Sequence, residues 1–255
     1  MKTAASVKYS KLSRKNTVFT EYSELCRQIL NLVGEHGIRR DTEEICSRNC
    51  YVLISSNRGF CGGFNNELFR FFSRETAEES EPLVICCGRK AAKYCEDRNI
   101  PMEVLELPDV PSYEDAERLT EKVLGIYTSG QAEKICFICQ KYVNMMTQTP
   151  VCECILPGVS SSEKRPATDI LFLPDAESVE KNIAFYCLCS RVYGILLSHF
   201  SGAQAATLIA MRNACDNAEE SAAALSLTIN RIRQAEVTNS VIETSSGTAF
   251  RKSEN

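Results

Sequence analysis

Residues 203–246 read AQAATLIAMRNACDNAEESAAALSLTINRIRQAEVTNSVIETSS, 44 residues with neither glycine nor proline. Such a run is expected to be helical, because those two residues are the ones that interrupt a helix. At 1.5 Å per residue it predicts a rod of about 66 Å, far longer than a globular domain needs. Within it Leu208, Met211, Cys215, Ala218, Ala222, Leu225, Ile229 and Ile232 recur at alternating spacings of three and four. That is the a/d seam of a coiled coil over nearly four heptads. A strict heptad repeat implies a left-handed supercoil with a partner helix. Small residues at Cys215, Ala218 and Ala222 predict close approach, and Leu225, Ile229 and Ile232 a wider layer.

The candidate partner lies at the other end of the chain. Residues 3–33 also lack glycine and proline, and Leu12, Phe19, Tyr22, Cys26, Ile29 and Val33 mark a seven-residue pattern that ends near Gly34. Lys8 and Lys15 occupy positions that the same register would make apolar. The reading is an N-terminal helix over 1–34 and a C-terminal helix over 175–250, paired antiparallel, with Gly194 and Gly202 as interruptions of the second. A long helix packed flat on a central domain fits the same pattern.

Between them, over 50–173, the period changes. YVLIS (51–55), PLVICC (82–87), MEVLEL (102–107) and KICFICQ (134–140) are short β-rich runs separated by helix-length segments. Alternation of this kind predicts an α/β fold, a Rossmann-like layer with a mainly parallel sheet. VNMMTQ, VCECILP and ILFLPD are expected to add edge strands, with VSSSEKRPATD as a loop between the last two.

Composition excludes several classes. A formal charge of −4 without a long basic run argues against nucleic acid as a partner. No stretch approaches the roughly 20 uninterrupted apolar residues that cross a bilayer, and the start MKTAASVKYSKLSRKN has no apolar signal core. A basic, acid-free start is faintly like an organelle transit peptide, but it runs on into helix; the expected location is the cytoplasm. The fourteen cysteines are expected to be free core thiols. Cys136 and Cys139 form a CxxC inside a strand, where positions three apart face opposite ways, and His36 and His199 lie far from every cysteine pair, so no metal site is expected. Gly59, Gly62 and Gly63 stand between a strand and a helix, where glycines can cradle a phosphate. Neither GxGxxG nor GxxxxGK[ST] is present, so they are read as a structural turn with close helix-to-strand packing and a buried Cys61. Arg58 is read as a local anchor or subunit contact. No catalytic or cofactor-binding residue is expected, and a nucleotide-dependent α/β enzyme is the reading from another class.

Two segments carry a resemblance. SSNRGFCGGFNNELF (55–69) is similar to the strand-loop-helix signature of F-type ATP synthase gamma subunits, with Asn57 where the family carries Asp. Residues 203–250 resemble that family's C-terminal shaft helix through Ala210-Met211-Arg212-Asn213-Ala214, Asp216-Asn217-Ala218, Asn230-Arg231, Arg233-Gln234-Ala235, Val237-Thr238, Glu243 and Gly247. Cys215, Ser240 and Thr248 depart from it. KYVNMMTQTPVCECILP (141–157) is a weaker match. Family members usually carry a further helical stretch before the segment that resembles Met1-Lys2-Thr3-Ala4-Ala5; without it, part of the seam is expected to be covered by other subunits or exposed.

The resemblance implies a rotor shaft inside a ring of alpha and beta subunits, with the α/β domain beside an epsilon-type stalk subunit and the membrane c-ring. The chain would then be peripheral to the cytoplasmic face of a bacterial cell membrane. It further implies that Arg212, Asn213, Asp216, Asn217, Asn230, Arg231, Arg233 and Gln234 form the polar face that meets alpha and beta. A homologue that binds these subunits without coupling them is the runner-up.

Overall fold

The computed structural model describes residues 2–33, 48–79, 81–157 and 175–252. The chain divides into two units, Met1–Ala210 and Met211–Asn255.

Among the described residues the first unit is built on five strands: β1 (Cys50–Ile54), β2 (Leu83–Cys87), β3 (Met102–Leu105), β4 (Ile135–Tyr142) and β5 (Gln148–Leu156). Their order is β3-β2-β1-β4-β5, the first four parallel and β5 antiparallel at the edge. The near-continuous apolar runs of β1, β2 and β4 follow from burial on both faces. One face, with Val52, Ile54, Ile85, Cys87, Ile135, Phe137 and Cys139, packs into the larger core. The other, with Tyr51, Leu53, Val84, Cys86, Cys136 and Ile138, packs under α2 (Phe64–Glu75) and α3 (Arg89–Glu96). Cys136 and Cys139 therefore face opposite sides of the sheet. The helix α4 (Tyr113–Thr128) covers the larger core and starts at a capping box, in which Ser112 and Asp115 satisfy each other's backbone N–H.

Two further helices close that core, α1 (Lys2–Val33) and the first part of α5 (Ala176–Lys252). They run antiparallel. Cys187 Sγ donates to the Cys26 carbonyl (3.4 Å), the rings of Phe19 and Tyr193 meet edge-on at 4.8 Å, and Ala5 and Ala203 line the same cavity. Asp175 Oδ1 accepts from Ser178 N (2.8 Å) at the start of α5. The two glycines do not interrupt α5. They are close approaches: a Cβ at Gly194 would meet Phe19 at 3.4 Å, and one at Gly202 would meet Gln148 at 3.1 Å and Phe64 at 3.2 Å. This stretch is apolar nearly all round because α1 lies on one side and the sheet on the other. A part of α5 within 181–245 is long and apolar enough to cross a membrane, but 67% of its most apolar window is buried in protein.

Two expectations change. The helix pairing falls at residues 187–203 of α5, upstream of the heptad seam. Leu208 and Met211 are half-buried, while Cys215, Ala218, Ala222, Leu225, Ile229 and Ile232 are exposed. Second, Val143–Thr147 is the β4–β5 turn and not a strand: Asn144 Oδ1 accepts from Met146 N (2.9 Å) and Thr147 N (2.8 Å), which bends the backbone despite its apolar composition. Gly34, His36 and the expected segments VSSSEKRPATD and ILFLP lie outside the described residues.

The second unit is the continuation of α5. From residue 212 to residue 245 every position is exposed. Its hydroxyls bond back to its own carbonyls, as Ser221 to Asn217 O (2.8 Å) and Thr238 to Gln234 O (2.8 Å).

Candidate functional site

The loop that leaves β1 is held by a chain of hydrogen bonds. Ser56 N donates to Asn65 Oδ1 (3.2 Å), Asn65 Nδ2 donates to Ser56 Oγ (2.7 Å), and Ser56 Oγ donates to the Arg58 carbonyl (2.7 Å). Asn57 Nδ2 donates to the Leu107 carbonyl (2.7 Å) and to Asp109 Oδ1 (3.2 Å), while its Oδ1 accepts from Arg89 N (3.3 Å). An aspartate at 57 would offer acceptors where two donors are used, which gives Asn57 a physical reason.

Asp109 joins this loop to α1. Its carboxylate accepts from Lys8 Nζ and lies 3.6 Å from Arg58 Nε. Burial alone would raise its pKa; the Lys8 and Asn57 hydrogen bonds and the charges of Lys8 and Arg58 outweigh that and hold it below the ordinary value. The lysine that interrupts the apolar pattern of α1 is thus an ion-pair anchor, and Lys15 likewise reaches Tyr193 Oη at 3.5 Å. A double-mutant cycle of Lys8→Met and Asp109→Asn should give a coupling of about 1 kcal/mol, read from urea denaturation. Additive single effects would deny the anchor its role. The sign with pH is fixed by the lowered pKa: the contribution is present above the unfolded value and is lost as pH falls through the folded one.

The glycines of this loop divide the work unequally. Gly62 has φ +59 and is preceded by Phe60 at φ +65, so the turn needs left-handed backbone there. A Cβ on Gly59 would meet nothing within 4 Å, and one on Gly63 nothing closer than 3.5 Å. The close helix-to-strand packing expected of these glycines is made instead by Gly88, where a Cβ would lie 2.4 Å from the Ser55 carbonyl oxygen. Cys61 is buried. Two amides at the start of α3 are already used, Arg89 N by Asn57 and Ala91 N by Ser55 Oγ (2.7 Å), so a phosphate bound to them would have to displace both.

Hydrogen bonding with Cys86 and Cys136 lowers the thiols of Cys95 and Cys152, whereas other buried thiols shift the opposite way. Burial pushes the thiols of Cys50 and Cys87 up to about 12 and Cys189 up to about 11, so they remain protonated. Burial likewise lowers His199 to about 3, leaving it neutral.

The residues expected to meet partners all lie on the second unit. Arg212, Asn213, Asp216, Asn217, Asn230, Arg231, Arg233 and Gln234 are exposed. So is the apolar seam beside them, with Leu225 and Ile229 each 63% and Ile232 54% accessible. The polar residues are well solvated there, and the exposed apolar seam is the part that is unfavourable in water. The first unit adds Phe60, 64% accessible at the tip of its loop, and Arg58, whose side chain is 76% accessible. Asp109, Gly88 and Ser55 carry no local sequence signal. Lys8 did, as a charge out of place in a heptad.

The sequence model of the family described as ATP synthase matches residues 1–249. The ATP synthase gamma chain of Desulfitobacterium hafniense (strain DSM 10664 / DCB-2) is 28% identical over 252 residues, which cover 95% of this chain and 89% of that one. Among solved structures, a chain of the Euglena gracilis mitochondrial ATP synthase (OSCP/F1/c-ring, rotational state 3) is similar with a TM-score of 0.63 at 17% identity, covering 100% of this chain and 96% of its own. A chain of the Tetrahymena thermophila mitochondrial ATP synthase central stalk/c-ring is similar with a TM-score of 0.59 at 16% identity, covering 83% of this chain and 99% of its own. At these identities the likeness is one of fold.

Proposed function

The chain belongs to the ATP synthase family, and from that premise we propose that it is the gamma, central-stalk subunit, a rotor that couples ion-driven rotation to ATP chemistry carried out by other subunits. The observation that carries the reading is the helix of the second unit, exposed at every residue from 212 to 245 on both its polar and its apolar faces. A shaft turning inside a ring of alpha and beta subunits needs such a surface. Each catalytic subunit meets a different side of it at any instant, and rotor angle then biases the relative free energies of the nucleotide-binding states. Charged and amide groups at Arg212, Asn213, Asp216, Asn217, Asn230, Arg231, Arg233 and Gln234 suit contacts that break at every step. The apolar seam from Leu208 to Ile232 supplies the grip.

The partners of this reading are the alpha and beta subunits around the helix, and an epsilon-type stalk subunit and the c-ring beside the sheet domain. The chain itself contributes no catalytic group. It is peripheral to the membrane through the c-ring, on the cytoplasmic face of a bacterial cell, and its mass divides as an N-terminal helix (1–34), a central α/β domain (50–173) and a C-terminal shaft (175–250).

Reconstitution tests this. Mixed with alpha and beta subunits from the same genome, the full chain should enter a complex at one copy and support MgATP hydrolysis. Binding without hydrolysis would identify a homologue that has lost coupling, and absence of binding would overturn the rotor reading.

A further inference from the structure

Strand β4 outruns its neighbour. β1 pairs with it from Cys50↔Ile135 to Leu53↔Ile138 and ends at Ile54, whereas β4 continues to Tyr142. Backbone N–H groups on the edge left open need other acceptors, because burying them unpaired is costly. Two adjacent residues of α5 supply them. Gln140 N donates to Nδ1 of His199 at 3.1 Å, and Tyr142 N donates to Oγ of Ser198 at 2.9 Å. The helix thus finishes the sheet ladder with side chains.

The histidine end of this junction is the more constrained. His199 and Gln140 are both fully buried, and Gln140 Nε2 donates to the Phe64 carbonyl at 2.9 Å. The imidazole is packed edge-on against Phe64 (5.1 Å) and Phe200 (5.4 Å). A ring nitrogen that accepts a hydrogen bond carries no proton, so the geometry assigns the neutral Nε2–H tautomer. Among the described residues neither His199 Nε2 nor Gln140 Oε1 has a hydrogen-bond partner.

We propose that His199 is a proton-releasable latch: its neutral Nε2–H tautomer holds α5 to the open end of β4, and a proton at Nδ1 releases it. Protonation would set Nδ1–H against the Gln140 N–H, two donors face to face, with no solvent to take either. Among the described residues the ring's hydrogen-bond and ring contacts are Gln140 from β4, Phe64 from α2 and Phe200 from α5 itself, and none of them titrates. Burial alone lowers the imidazole from 6.5 to about 3, so the latch is closed at neutral pH. The folded state then binds fewer protons than the unfolded state between those values. The stabilisation is complete above the unfolded pKa, and the folding equilibrium constant falls by about tenfold for each pH unit below it, down to the folded value.

Histidine-selective ¹⁵N NMR on the full chain tests this, since the sequence has two histidines, His36 and His199. One imidazole should show an acceptor-type Nδ1 and a protonated Nε2, and should keep both as pH is lowered to about 4, beyond the range in which an ordinary imidazole titrates. Removing the acceptor with His199→Leu should speed hydrogen exchange of the Gln140 amide by about tenfold or more, while His199→Asn, which keeps an oxygen acceptor, should retain most of the protection. Two histidines titrating near the ordinary value, an Nδ1–H tautomer, or unchanged Gln140 exchange in the leucine variant would each overturn the latch. Should that variant fail to fold, the tautomer of the wild-type chain decides.

Discussion

A chain carrying Leu225→Asp and Ile229→Asp is expected to fold with unchanged stability and to fail in assembly with the alpha and beta subunits. Both side chains are 63% accessible in the free chain. Exposed helix positions away from caps and networks change stability by about 0.5 kcal/mol or less each, so the urea midpoint should barely move. In the assembled complex the same positions are expected to be buried. Each then forgoes about 1.5–3 kcal/mol of apolar burial and adds a carboxylate without a partner, which costs several kcal/mol more. The combined loss corresponds to at least a hundredfold in affinity, and co-elution with alpha and beta at micromolar concentration should disappear. The two readouts separate the possible coverings of this seam. A large drop in the free chain's stability would mean that another part of the same chain covers it. Normal assembly would mean that the seam stays in water within the complex, which would deny it the grip assigned here.

That prediction differs from what the heptad pattern alone suggests. Alternating spacings from Leu208 to Ile232 say that these side chains are to be covered, but not by what. The natural inference, an intramolecular coiled coil with the N-terminal helix, holds for the antiparallel direction, and α1 meets α5 at Cys187 and Tyr193, upstream of the seam. Gly194 and Gly202 hid this. They look like breaks in a helix and are the points where Phe19, Phe64 and Gln148 come closest to it. The parallel strands were legible because burial on both faces turns them into plain apolar runs. Val143–Thr147 misled for the same reason in reverse: its apolar residues resemble a strand, while the side chain of Asn144 makes the turn. The Lys8–Asp109 pair spans 101 positions, and no local pattern announces a contact of that range.

The clearest divergence between sequence signal and structural weight concerns the glycines, and it leads to the largest expected effect on folding. Three glycines within residues 59–63 draw the eye, yet Gly88→Ala should be the substitution that the fold does not tolerate. Its φ of +108 with ψ of 145 lies in a region that side chains rarely enter, and its Cβ would sit 2.4 Å from the Ser55 carbonyl oxygen and 3.1 Å from its carbon. Ser55 cannot retreat easily. Its N–H donates to the Cys87 carbonyl at 2.8 Å, and its Oγ accepts from Ala91 N at 2.7 Å, so moving it breaks the end of β1 and the start of α3 together. Strain and overlap with backbone should cost about 3 kcal/mol or more, a large share of the stability of a marginal domain. Gly62→Ala, at φ +59 in open space, should cost about 1 kcal/mol, and Gly59→Ala about 0.5 kcal/mol or less. Urea midpoints of the three variants give the ranking directly. If Gly59→Ala or Gly62→Ala proved worse than Gly88→Ala, the loop and not the β1–α3 contact would be the element on which this fold depends.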